Sequence, residues 1–335
     1  MNRIQGIVMA AVLLAGLALV CGCISAPPSG EETLTELRIG YQPSTHQMVH
    51  MTAFEKGWWQ EDLAPYGVQT VTDREFPTGA PEMSAMVAGE IDIAYVGAAP
   101  FVAAVANSDL DAKIIAGTQT QGSDLVLRPE VPYSSPEDLR GLTIATFPPG
   151  TIQDTLLRDW LKQNGLQPDV DVTIQGMGPG DAITAISAGR VDGVFLPHPS
   201  PTIIADAGNG RTVVQSGAMF PNHACCVLVA SGDLIRNHPD VVDQIVRTHI
   251  KATEYNKEHP DEAAEIFAAK IGQDVNVIKQ SLSEWDGTWI SDPHVIEDSV
   301  VSYSQVQYEL GYIEKPLTTE DLFDTSFYDR VSSES

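Results

Sequence analysis

The chain has 335 residues, enough for two domains that each bury a core of their own. Nineteen Lys and Arg stand against 45 Asp and Glu, a formal charge of −26. That balance excludes nucleic acid as a partner, because phosphate binding needs local positive potential, and it opposes the approach of anions wherever salt does not screen it.

In chain order, Arg3 precedes a run over 4–20 that is apolar apart from Gln5, and Val20-Cys21-Gly22-Cys23 is similar to a lipobox. Residues 1–23 are therefore expected to be a lipoprotein signal segment with Cys23 the lipidated residue, and 24–36 a flexible tether. An uncleaved signal anchor is the other reading. Both place the folded part outside the cytoplasm, anchored to the outer face of the cytoplasmic membrane. Cys21 belongs to the targeting segment, so the fold keeps Cys225 and Cys226. Neighbouring cysteines do not meet ordinary disulfide geometry, and the pair reads mainly as buried, inert packing.

Residues 37–41 alternate and run into the turn Gln42-Pro43-Ser44, a first strand and its loop. A helix from Thr45 or His46 to Lys56 is closed by Gly57, and Trp58 and Trp59 cover the core beneath it. Strands are expected at 68–74, 91–96, 113–118 and 124–127, with a short helix at 101–106. The segment 134–138, SSPED, is a helix start. Strands at 142–146 and 170–175 flank a helix over 151–164 with Leu156, Leu157, Trp160 and Leu161 on one face. A strand at 212–215 ends that region, and 226–230 is a strand again. The remaining third reads as helices at 241–257, 261–271, 275–285 and 295–310, expected to wrap the first lobe.

One unit occurs twice. Residues 85–100, AMVAGEIDIAYVGAAP, are matched one hundred positions later by 185–200, AISAGRVDGVFLPHPS. Each copy ends a helix at a glycine, makes a polar turn and enters a buried strand that stops in a loop of small residues and prolines. Asp92 and Asp192 anchor the two turns. Two such units imply two α/β lobes with a cleft between their strand ends, where open α/β sheets bind ligands. The expected division is lobe one at 37–127 and 226–330, in two pieces, and lobe two at 128–225.

The pieces RIGYQ (38–42), EKGWW (55–59), FPTGAPE (76–82), GEIDIAYVGAAP (89–100), DLRGLTIATFPPG (138–150), GRVDGVFLPHP (189–199) and SGDLIRNHPDVV (231–242) follow one another as in a known family. In that order they resemble the substrate-binding proteins of ABC importers, in the nitrate, taurine, alkanesulfonate and thiamine-precursor pyrimidine branch. The resemblance implies an α/β, two-lobed periplasmic-binding-protein type II fold that closes on a ligand by hinge rotation. It also implies a permease and an ATPase as partners.

Ligand groups are expected from the loops at strand ends. These are Gln42, Ser44, Thr45, His46, Gly97, Ala98 and Gln119 on lobe one, and Gly150, Thr151 and His198 on lobe two. Asn222 and His223 come from the crossing. Gly150 and Thr151 open a helix, which suits an anionic or polar ligand. His198 stands where relatives carry an acid or an aromatic residue. His46 and His50 share the spacing of a metal pair, and with His198 and His223 they form an alternative site for a transition metal or metal complex. A third reading follows from resemblance to a thiamine-pyrimidine synthase, which carries a cysteine cluster at the matching crossing and a substrate histidine after the repeat strand. Here Pro100 stands near that position and only two cysteines remain. The sequence holds no nucleophile elbow and no phosphate-cradling lysine loop. The expectation is a monomeric solute receptor, not an enzyme, with no cofactor. Its ligand would be a small sulfonate, nitrate or pyrimidine-like molecule.

Overall fold

The computed structural model describes residues 33–334. The signal segment, Cys23 and most of the tether lie outside these residues. Among the described residues, eleven strands form two sheets: β1 (Glu36–Tyr41), β2 (Thr70–Glu75), β3 (Ile93–Gly97), β4 (Ala112–Thr120), β5 (Ser123–Leu127), β6 (Thr143–Thr146), β7 (Thr173–Gly176), β8 (Gly193–Pro197), β9 (Arg211–Gln215), β10 (Ala224–Ser231) and β11 (Thr288–Trp289). The first sheet runs β11-β4-β10-β3-β1-β2 and the second β7-β6-β8-β5-β9. The last residues assigned to the tether are already part of the fold, since Thr35 accepts backbone hydrogen bonds from Gln69 and Thr70 and Glu36 begins β1.

The two sheets share a plan. In each, three parallel strands (β2-β1-β3 and β7-β6-β8) are followed by an antiparallel pair, β10-β4 in the first and β5-β9 in the second. The strand next to each repeat strand, β10 or β5, is thus the one that has just crossed between sheets. This corrects the expectation that 124–127 belongs to lobe one: β5 pairs with β8 and β9. The chain turns between β4 and β5 at Gln121 and Gly122, both at positive φ, 59° and 83°. The turn carries the strand into the other sheet.

The repeat explains itself at the level of caps. Gly89 and Gly189 are left-handed (φ 69° and 65°), and their amides donate to Met86 and Ile186 while the next amides reach Ala85 and Ala185. This double hydrogen bond closes each helix and releases the chain toward its strand. Asp92 then accepts from the Arg38 amide (2.8 Å) and guanidinium, and Asp192 from the Thr143 amide (2.9 Å) and Arg128. Each acid ties the repeat strand to the parallel strand beside it, β1 or β6.

Alternation along the strands divides the core. Leu37, Ile39, Tyr95 and Leu228 pack with the C-terminal helices, including Val242, Ile245 and Phe267. Ala94, Val96, Val227 and Val229 face an apolar cluster that continues through Ile152, Leu156 and Phe195 into the second sheet. A third cluster, with Val194, Leu196 and Ile204, lies on the far face of that sheet. The C-terminal helices chiefly cover the first sheet, although Val275–Glu284 also packs on Ser200–Asp206 of the second lobe. Among the described residues, no helix is long and apolar enough to cross a membrane.

Candidate functional site

The strand ends of the two lobes meet around a pocket containing about 540 Å³ of space between protein atoms, part of it open to solvent. Gln42, Ser44, His46 and Gly97 line it from the first lobe, and Thr151 and His198 from the second. Among the described residues, no Asp, Glu, Lys or Arg is in its wall. Four helices of nine or more residues begin there: Gly79–Val87, Ala98–Ser108 capped by Gly97, Ile152–Gln163 capped by Thr151, and Pro179–Ser187. Their amino ends carry partial positive charge and amides without helical partners, which favours an anionic group in a pocket that has no lysine or arginine.

The lobes are joined across the pocket. Thr45 donates to the His198 carbonyl from its amide (3.1 Å) and its hydroxyl (3.0 Å). Gln307 donates to the carbonyls of Ala99 (3.0 Å) and Gly150 (3.1 Å). Gly97 lies so close to Ile152 that a Cβ placed on it would stand 3.2 Å from that side chain. These contacts describe a closed cleft.

The other expected residues have different places. Ala98 and Gln119 are fully buried and do not reach the wall. Thr45 is likewise buried and spends its hydrogen bonds on the lobe contact. Gly150 is left-handed (φ 84°), donates to Asp154 (3.2 Å) and lies in a neighbouring depression with Ala80, Ala103 and Pro149. Asn222 and His223 line a separate groove beside Ser299 and Tyr303. There burial lowers the His223 pKa to about 4.

The four-histidine site is not formed. His50 points into Tyr41, Phe54, Trp59 and Tyr95, fully buried, with Asp73 3.3 Å from Nε2, and burial lowers its pKa. The residues 45–47 form a 3₁₀ turn ahead of the helix Met48–Glu55, so His46 and His50 do not share one α-helical face. His198 Nδ1 is 2.8 Å from Ser281 Oγ, and its Nε2 is 3.3 Å from Asp124. His46 instead meets the two cysteines. Its Nδ1 is 3.1 Å from Cys225 Sγ and 3.9 Å from Cys226 Sγ, and all three residues line the pocket.

Adjacent residues on a strand normally point to opposite faces. Here Ala224 pairs with Thr120 and Cys226 with Gln119, so β10 advances two residues while β4 advances one. This bulge turns both thiols to the same side. Burial pushes the Cys225 thiol well up. A hydrogen bond from Cys225, with help from His46 and Gln47, draws Cys226 below the ordinary thiol value. Nothing in the sequence marks the bulge, which is why the pair reads there as packing. Gln47, Phe147, Gln153 and Ser200 also line the pocket and went unnoticed, although each is within three residues of an expected one.

A buried carboxyl stands behind the wall. Gln42 Nε2 donates to Glu82 (2.7 Å), and burial holds the Glu82 pKa well above the usual carboxylate range.

Residues 30–272 match the NMT1-like family. The chain belongs to that family. An aliphatic sulfonates-binding protein of Bacillus subtilis, so described provisionally, is 26% identical over 96% of this chain and 96% of its own length. The taurine-binding periplasmic protein of Escherichia coli is 28% identical over 57% of this chain and 59% of its own. Among solved structures, the alkanesulfonate-binding protein SsuA of Xanthomonas axonopodis pv. citri, bound to MOPS, superposes with a TM-score of 0.76. The match is 20% identical and covers 86% of this chain and 98% of that one. The periplasmic nitrate-binding protein NrtA of Synechocystis gives 0.78 at 15% identity, covering 90% and 89%. The NMT1-like chain therefore has the two-lobed periplasmic-binding-protein fold expected from its motifs.

Proposed function

We propose that this chain is the extracytoplasmic solute receptor of an ABC importer, capturing a small anionic or polar organic molecule between its lobes and presenting it to a membrane permease. The observation that carries the reading is the pocket itself: four helix amino ends and uncharged polar side chains from both lobes converge where the lobes touch. The relatives described as binding aliphatic sulfonates, taurine and nitrate support an oxyanion as the recognised group. Gln42, Ser44, His46, Gly97, Thr151 and His198 are the proposed contacts, joined by Gln153 and Ser200. The role is binding and delivery without chemistry, from an N-terminal lipid anchor at Cys23, as a monomer. A thermal-shift panel of alkanesulfonates, taurine, nitrate and pyrimidines tests it. A ligand at a hundred times its dissociation constant should add about 2.7 kcal/mol to stability, and no shift across the panel would overturn the oxyanion reading.

A further inference from the structure

The pocket holds a second chemistry, built on two thiols that oxyanion capture leaves unused. His46, Cys225 and Cys226 each offer a donor atom, all within 4.8 Å of one another and all buried. His46 Nε2 lies 2.8 Å from the Gly122 carbonyl, which can only accept, so Nε2 carries the proton and Nδ1 turns a lone pair toward the thiols. A carbonyl fixing the outer nitrogen of an imidazole is how metal-ligating histidines are held. Around a tetrahedral ion with bonds of about 2.0 to 2.3 Å, neighbouring donors stand roughly 3.5 to 3.8 Å apart. The observed 3.1 and 3.9 Å bracket that spacing.

The geometry points to a site for a thiophilic d¹⁰ cation of the zinc class, ligated by His46 Nδ1 and the sulfurs of Cys225 and Cys226, with its fourth position facing the ligand pocket. Two sulfurs and one imidazole form a soft set that selects such ions over calcium or magnesium. Three protein ligands with an open position leave room for a donor atom of the solute. Binding a divalent ion replaces the two thiol protons, which leave to solvent. The inference goes beyond the receptor reading and does not depend on it.

The test loads the purified full chain, kept reduced, with Zn²⁺ alone. After gel filtration against a weak chelator, elemental analysis should find one zinc per chain. Co²⁺ in its place should give the intense near-ultraviolet thiolate band and tetrahedral visible bands. C225A/C226A and His46→Gln should bind Zn²⁺ at least a hundredfold more weakly. His294→Gln, which removes an exposed imidazole between Glu297 and Asp329, should change nothing. In the wild type, Zn²⁺ should protect both thiols from alkylation, a readout that stands even if a cysteine variant fails to fold. Absence of zinc uptake with both thiols free overturns the site, as does zinc retained by the folded double variant or unprotected thiols. The solute panel repeated with chelator separates the two readings, since a solute shift without metal leaves the receptor standing by itself.

Discussion

His46 and His50 illustrate how much a single turn decides. Four positions apart in sequence, one ring reaches the pocket and the other enters an aromatic core, because the chain is still 3₁₀ at the first and α-helical at the second. Gly97 acts at the same scale, because a Cβ on it would stand 3.2 Å from Ile152 of the second lobe. Gly97→Val should hold the cleft open and weaken the solute found in the panel by tenfold or more, about 1.4 kcal/mol, with little change in the unliganded melting temperature. Calorimetric titration beside a thermal melt checks it. Glu82 offers a test of burial. Its raised pKa means the folded state resists ionisation, so its contribution is present below the unfolded value and is lost as pH rises through the folded one. Glu82→Gln removes that loss. The variant should melt above the wild type at pH 8, with the gap shrinking toward pH 4; a constant gap would deny the buried proton. The places of Gln42, Ser44, His46, Gly97, Thr151 and His198 on the pocket wall were legible from strand ends. The cysteines were not, because their shared direction comes from a pairing slip between two strands far apart in sequence.

At the scale of elements, the helix Pro239–Glu258 closes the far face of the first sheet with His249 at its centre. His249 Nε2 donates to the Gly117 carbonyl (2.6 Å), and Nδ1 accepts from the Tyr95 hydroxyl (2.9 Å). This pattern suits the neutral ring, and burial lowers its pKa to about 4. His223 has a similar value. Depressed folded pKa values give stability that is present above about 6.5 and is lost as pH falls toward 4, on the order of 3 kcal/mol for each group. Denaturant unfolding between pH 7 and pH 4 should show that decline, and His249→Gln should flatten it while lowering stability at pH 7. An unchanged slope would contradict the assignment. Strand positions were readable from apolar runs, usually within two residues. Membership was harder: β5 follows β4 after two residues yet pairs with β8 and β9, since a run of apolar residues states that a strand is buried and not beside which partner.

The whole molecule is legible mainly through its repeat. Two equivalent helix-turn-strand units forecast two sheets of one plan with a cleft at their strand ends, and the observed sheets follow that plan strand by strand. Charge acts at this scale too. With a formal charge of −26 around a pocket whose wall is uncharged, anionic solutes approach against a repulsive field. Stopped-flow association should therefore quicken as salt rises from about 10 to 200 mM, as screening shortens the field's reach; slowing would mean local positive steering instead. The central claim is that both lobes grip one small solute. Isothermal titration of the panel's best ligand against wild type, Gly97→Val in the first lobe and Gln153→Ala in the second measures it directly. The account predicts one site per chain and at least tenfold weaker binding in each folded variant, whereas undiminished affinity in both would contradict it.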